Sequence, residues 1–310
     1  MKRHSAILRC AASSLAVALF TLPLTAGADN YLSATAGSGP GGYNSTEVRG
    51  NADVFDTPLR ANLFVFKSAS SGDAITQSAF GMDWRLSELA TLGLTHNRQD
   101  NSLIDISGNS ASLALMLDTL WNGKLQTRLD LKHAASAYQF NNLPPSVQNN
   151  TINQTTNTLG LSQDVAEPVT LYFSHDQYSY DHDPKQAALR MMKTAPQRFY
   201  STRSALLTFP DSSNSFGITW RALEVLTVDI SSSKTLTQLD QEQKTRRLGL
   251  DYQVTDHLNL TAAVSRVAST AVVTQQTIFP NIPALTIPAG TTVIPSSNDS
   301  YAELGLGWSF

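Results

Sequence analysis

The reading of the fold turns on the last ten residues, Tyr301–Phe310 (YAELGLGWSF). Ala302, Leu304, Leu306, Trp308 and Phe310 fall on one side of an extended chain, and Tyr301, Glu303, Gly305, Gly307 and Ser309 on the other. Successive side chains of a strand point to opposite faces, so this is a strand with one greasy face and one polar face. Working back along the chain, Phe80, Met82, Trp84 and Leu86 oppose Ala79, Gly81, Asp83 and Arg85. Leu125, Thr127, Leu129 and Leu131 oppose Gln126, Arg128, Asp130 and Lys132, and Leu258, Leu260, Ala262 and Val264 oppose Asn259, Thr261, Ala263 and Ser265. The same period of two runs from residue 30 to the end, broken by short turns.

Residues 1–28 carry a different signal. Lys2, Arg3 and Arg9 precede an apolar run, Ala11–Leu24 (AASSLAVALFTLPL), and Ala26, Gly27 and Ala28 supply a small-residue cleavage pattern. This predicts a cleaved secretory signal peptide, since the run is shorter than the ~20 residues of a transmembrane helix. A mature chain of residues 29–310 would keep 19 basic residues against 25 acidic, a charge of −6, and would lose Cys10, the single cysteine. Disulfides, cysteine-ligated metals and cysteine catalysis are then excluded. The acidic balance argues against a nucleic-acid partner. Over the full 310 residues the chain is 41% apolar and 15% charged, too apolar for disorder, with no helix-length greasy segment after the leader.

Alternation alone fits a soluble sandwich as well as a membrane barrel. Connection lengths separate the two. Tight turns are expected at Asp56–Thr57, Ser87–Glu88, Trp121–Gly123, Val165–Pro168, Leu223–Glu224 and Thr255–His257, and mostly longer connections between them, the largest at 139–152, 181–213 and 272–299. Short turns at one end and long loops at the other is the layout of an outer-membrane barrel. Trp84, Trp121, Trp220 and Trp308 all lie at the short-turn end, where amphipathic indoles form a girdle at a membrane boundary. Closure pairs every backbone amide, which lipid requires. A charged inner face comprising Arg60, Asp83, Arg85, Asp118, Arg128, Asp130, Lys132, Asp229, Arg247, Asp251 and Glu303 then needs a wet interior.

The predicted fold is therefore all-β, a transmembrane antiparallel up-and-down barrel with short periplasmic turns and long extracellular loops. Fourteen strands are expected, at 30–37, 46–55, 58–68, 75–86, 89–98, 110–120, 124–138, 153–164, 169–180, 214–222, 225–236, 244–254, 258–271 and 300–310. Twelve is the alternative if the glycine-rich start fails to pair. The C-terminal strand ending in Phe310 resembles the recognition strand of Gram-negative outer-membrane β-barrel proteins. That resemblance implies insertion by the barrel-assembly machinery and termini on the periplasmic side.

Two loops stand out. In 181–213, Asp183, Pro184 and Lys185–Thr194 (KQAALRMMKT) predict a helix stopped by Pro196. Lys185, Arg190, Lys193 and Arg198 make it basic, suiting an inward selectivity constriction, a contact with lipopolysaccharide, or a solvated surface helix. Residues 199–209 are strand-like and are read as an extension beyond the membrane. The loop 272–298 is apolar and proline-rich, fitting a lid, a partner contact or two strand extensions.

Motifs of catalysis are sparse. Gly37, Gly39 and Gly42 match the letters of a dinucleotide loop, but Pro40 interrupts them and a strand follows where a helix is required. His96 faintly resembles the histidine segment of outer-membrane phospholipase A, yet Arg98 stands where that family has serine. His175, Asp176, Asp181, His182 and Asp183 are similar to the pairs by which outer-membrane aspartyl-type proteases activate water, although here all five are close in sequence, and a capping and turn role for Asp181 and Asp183, or weak divalent-cation binding at the surface, suits them better. The expectation is a porin-like channel for small hydrophilic solutes or ions in the outer membrane, with no cofactor, no metal and no catalytic residue. Its expected partners are the bilayer, lipopolysaccharide, the assembly machinery and the solutes. A surface binding, assembly or export-partner barrel is the alternative, and a lipase or protease the weaker one.

Overall fold

Alternation is carried through into a sheet without an edge. The computed structural model describes residues 30–310 apart from 56, 71–72, 102–103, 118–124, 142–150, 185–208, 239, 275–291 and 295. Its strands are β1 (Tyr31–Ser38), β2 (Asn44–Asp53), β3 (Leu59–Ser70), β4 (Asp73–Ser87), β5 (Ala90–Asp100), β6 (Ile104–Met116) and β7 (Thr127–Phe140). They continue with β8 (Ile152–Ala166), β9 (Val169–Tyr180), β10 (Pro210–Leu223), β11 (Leu226–Thr237), β12 (Glu242–Gln253), β13 (Leu258–Ser269) and β16 (Ser297–Ser309). Each pairs antiparallel with its neighbours in chain order, and β1 closes on β16 to give a barrel of 14 strands. A separate ribbon joins β14 (Val272–Thr274) to β15 (Thr292–Ile294).

The twelve-strand alternative is overturned. β1 pairs over its whole length with both β2 and β16, from Tyr31↔Ser309 and Tyr31↔Asn51 to Ser38↔Ala302 and Ser38↔Asn44. The glycines that cast doubt on it lie at its end, where Pro40–Gly42 form a single 3-10 turn. Gly41 and Gly42 turn the chain with φ of 63° and 73°, a region open to glycine. Phe310 donates its backbone N–H to the Asn30 carbonyl at 3.1 Å, extending the seam to the last residue.

Other boundaries moved. β6 begins at Ile104 and ends at Met116, not 110–120, so most of the expected 99–109 loop is strand. β10 starts at Pro210, four residues early. The 272–298 connection opens as paired strand at its base, as its strand-extension reading has it. Short connections join β2 to β3, β4 to β5, β8 to β9, β10 to β11 and β12 to β13 at one end. Residues 1–28, Trp121, Asp118, the basic helix with Lys185, Arg190, Lys193 and Arg198, and 199–208 all lie outside the described residues.

The outer face is greasy. Phe80, Met82, Trp84, Leu131, Phe173, Trp220, Leu248, Leu304 and Trp308 are exposed on it. Trp84, Trp220 and Trp308 stand at the short-turn end, each about half exposed, as a girdle needs. Fully buried apolar residues are few, because the described wall is one layer thick.

The register also fixes the tilt. From Ser213, the paired row passes through Thr235, Gln243, Ser269 and Ser297 to the level of residue 43 on the β1 line. In the other direction it passes through Asp176, Thr158, Lys132, Ser112, Gly93, Asp83, Arg60 and Asp53 to the level of residue 29. The ring thus closes 14 residues out of step, one residue per strand. That ratio of stagger to strand number gives a tilt of about 36°.

Candidate functional site

The lumen wall is built by the polar half of each alternation. Arg60, Asp83, Arg85, Arg128, Asp130, Lys132, Asp229, Arg247, Asp251 and Glu303 all lie on the inner face, as the register and the ladder partners dictate. Most of the cations are matched within the wall. Arg60 Nε donates to Asp53 at 2.8 Å, and Arg128 reaches Asp130 two residues along the same strand at 2.8 Å. Arg247 Nη2 spans β13 to Glu303 at 3.4 Å, and Arg49, missed by sequence reasoning, is bonded to Glu47 and lies over the Phe64 ring. Among the described residues, Arg85 and Lys132 make no ion pair.

These groups gather in two chambers. One of about 600 Å³ near the short turns is lined by Asp53, Arg60, Asp83, Arg85, Glu88, Arg128 and Asp130. The other, of about 500 Å³, is lined by Glu47, Arg49, Asp229, Arg247, Asp251 and Glu303 on the wall from β11 round to β3. The first is nearly balanced in charge. The second carries four carboxylates against two guanidiniums. Tyr172 is a structural piece of this wall: its ring lies over Gly217, where a β-carbon would collide with it, and its hydroxyl reaches Asp229 at 3.0 Å. Thr219 Oγ1 donates to the same carboxylate at 3.1 Å. Glycine at 217 is what lets the tyrosine cross β10.

At the loop end the inner face changes character. Ile104, Phe140, Ile152 and Phe209 are buried on the β6–β10 side. Phe209, immediately before β10, sets its ring 4.9 Å from Tyr138, 5.6 Å from Tyr180 and 6.4 Å from Phe140. Buried Gln154 ties the cluster together, accepting from Tyr138 at 2.8 Å and donating to Tyr180 at 2.7 Å, while the Tyr180 hydroxyl donates to the Pro210 carbonyl. This aromatic shelf narrows the mouth from one side. Its inward-facing apolar residues are visible in the sequence, but their phase is opposite to that of the greasy outer band.

The histidine clusters do not converge. His96, His133 and His175 point outward, each with Nδ1 2.8–2.9 Å from a cross-strand asparagine: Asn109, Asn157 and Asn214. Asp176 points inward and accepts from Thr158. Asp181 caps the adjacent strand end, accepting from the backbone and side chain of Asn153 at 2.8 and 2.6 Å, with His182 at 3.1 Å. Desolvation acts upward on this carboxyl, but the Asn153 donors and His182 outweigh it and hold it below the usual carboxylate range. The five residues are thus split between two faces of the wall and the loop base.

No protein-family model matches the chain, and no curated protein matches it in sequence. Solved structures with a similar course include the KdgM porin in complex with disordered oligogalacturonate, at 8% identity over 90% of this chain and 99% of that one, with a TM-score of 0.43. The NanC porin covers 91% of this chain and 100% of its own, at 8% identity and a TM-score of 0.45. Pseudomonas aeruginosa OccK3 covers 91% and 94%, at 10% identity and a TM-score of 0.45. On its own geometry, a closed 14-strand antiparallel wall with a greasy outside and a charged inside, the chain is a transmembrane β-barrel.

Proposed function

We propose that this barrel is a passive channel for small hydrophilic solutes or ions in the outer membrane of a Gram-negative bacterium, reached through the secretory pathway. One observation carries the reading. Arg49, Arg85, Arg128, Lys132 and Arg247 are exposed to solvent although they sit on the inner face of a closed wall. Long cationic side chains keep that exposure only where water fills the space around them. Transport is then diffusion through a wet lumen, with the wall charges setting preference and the aromatic shelf setting size. The excess of carboxylates in the second chamber favours cations over anions. The reading gives no residue a catalytic role.

Single-channel recording of the refolded protein in a planar bilayer tests it. Stepwise conductance with a cation-sided reversal potential in a salt gradient is expected. A sealed bilayer containing folded, heat-modifiable protein would overturn the channel reading.

A further inference from the structure

The outer face carries charges that the inner face would have paired. On β11, β12, β13 and β16, one cross-strand row reads Ser232, Arg246, Arg266, Ser300, all pointing outward. Arg246 and Arg266 are direct cross-strand partners. One step nearer the loops, Lys234 and Lys244 are also direct partners. Like charges placed opposite each other destabilise a sheet. Glu242 lies within 2.6 Å of both lysines, and Arg266 Nε donates to Asn298 at 2.6 Å, but no described carboxylate meets either arginine. Four cations and one carboxylate leave this patch positive.

Directly below the arginines the next row is greasy: Ile230, Leu248, Val264, Ala302. The two rows together line an outer hollow of about 780 Å³. A second outer hollow of about 770 Å³ continues toward the short turns, floored by Leu250, Leu260, Ala262, Leu304 and Leu306. Depth agrees with a lipid occupant. The outward apolar stretch is four residues tall, Leu248 to Val254 on β12 and Leu258 to Val264 on β13. At the strand rise and tilt this is about 16 Å along the membrane normal. The arginine row is the next outward position above it, and stepping back one residue per strand from the Asn214–Lys234 pairing to Ser232 and Arg246 puts it at the height of the outward His–Asn pairs, where the outer face turns from apolar to polar. The row therefore faces the headgroups of the lipids packed against the wall.

We propose that this face holds one phosphorylated, multiply acylated glycolipid of the outer leaflet. Its phosphate bridges Arg246 and Arg266, with the Ser232 and Ser300 hydroxyls beside it, and its acyl chains lie in the two hollows. Guanidiniums bind phosphate oxygens with paired, charge-assisted hydrogen bonds, and one dianion relieves the repulsion between the two arginines. The inference rests on the outer-membrane reading above but not on conduction.

The test is native mass spectrometry of the refolded chain in detergent, titrated with purified bisphosphorylated lipid A. Dephosphorylated lipid A, phosphatidylglycerol and inorganic phosphate are run in parallel. One lipid A per chain is expected, with about tenfold or greater weakening for the dephosphorylated form and for the Arg246→Ser/Arg266→Ser double variant. Equal binding of the dephosphorylated lipid, or equal binding by the double variant, overturns the site. Equal retention of phosphatidylglycerol or displacement by millimolar phosphate overturns the assignment to a glycolipid. Heat-modifiability confirms that the variant is folded. Channel recording on the same samples is independent, so a closed lumen with intact lipid binding separates failure of the channel reading from failure of this one.

Discussion

Two zones of the same strands obey opposite rules. Near the short turns, β7 sets Leu129 and Leu131 outward and Arg128, Asp130 and Lys132 inward. Toward the loops it sets His133 and Gln139 outward and Tyr138 and Phe140 inward. β9 does the same, with Leu171 and Phe173 giving way to His175, Gln177 and Ser179 outside, and Tyr178 and Tyr180 inside. The wall does not stop at the membrane surface. It passes into water, and there the greasy side turns to the interior, as in any soluble protein. The His–Asn pairs mark the crossover. They step back two residues for every two strands, so with a stagger of one residue per strand they lie at one height.

The strongest way to break this comparison is at the aromatic shelf. Phe209→Ala should cost about 3–4 kcal/mol in the stability of the mouth and raise single-channel conductance, since it removes the ring on which Tyr138, Phe140 and Tyr180 pack. Unchanged conductance would detach the shelf from the permeation path. Next in size is Leu304→Arg on the lipid side, expected to cost about 2–4 kcal/mol by urea unfolding in vesicles. Ser179→Arg, outward but in the upper zone, should stay within about 0.5 kcal/mol in the same assay. Similar costs at the two positions would erase the boundary between the zones.

Smaller effects sharpen the lower zone. Tyr172→Phe removes a hydroxyl bond to Asp229 and should cost about 1 kcal/mol in this wet setting, with reversal potential moving further to the cation side as the carboxylate is released. Arg128→Ala, which breaks an exposed pair within one strand, should change stability by less than about 1 kcal/mol. Its effect belongs in the reversal potential, which leaves Asp130 unopposed and shifts the same way.

Much of this was legible because a period of two carries both faces at once. Once Leu304 is outside, Glu303 is inside, and no further information is needed. β6 shows where that reading breaks. Ile104 and Ile106 alternate with Asp105 and Ser107 as regularly as any strand, but with the greasy residues inward. Looking for a greasy outer face leaves such a segment in a loop, and the early start of β10, Pro-Asp-Ser-Ser at 210–213, offers no greasy face at all. Arg49 falls on the polar side of its strand, opposite Val48, Gly50 and Ala52, but its pairing with Glu47 and its place over the Phe64 ring appear only once β2 is set in register against β3. The outward arginines were unreadable for another reason: Arg246 and Arg247 are adjacent, and only register shows that Arg247 meets Glu303 while Arg246 meets Arg266.

The closure of the ring also has a consequence for gating. Fourteen strands spaced about 4.8 Å apart and tilted about 36° enclose a backbone cylinder roughly 26 Å across. Two sheets must approach to about 10 Å before their side chains interdigitate and exclude water. Opposite walls of this cylinder are too far apart for that, so no rearrangement of wall side chains alone can shut it. A closed state needs something other than wall side chains brought into the lumen, and the ring of Phe209, the residue before β10, already packs against Tyr138 and Tyr180 of the wall.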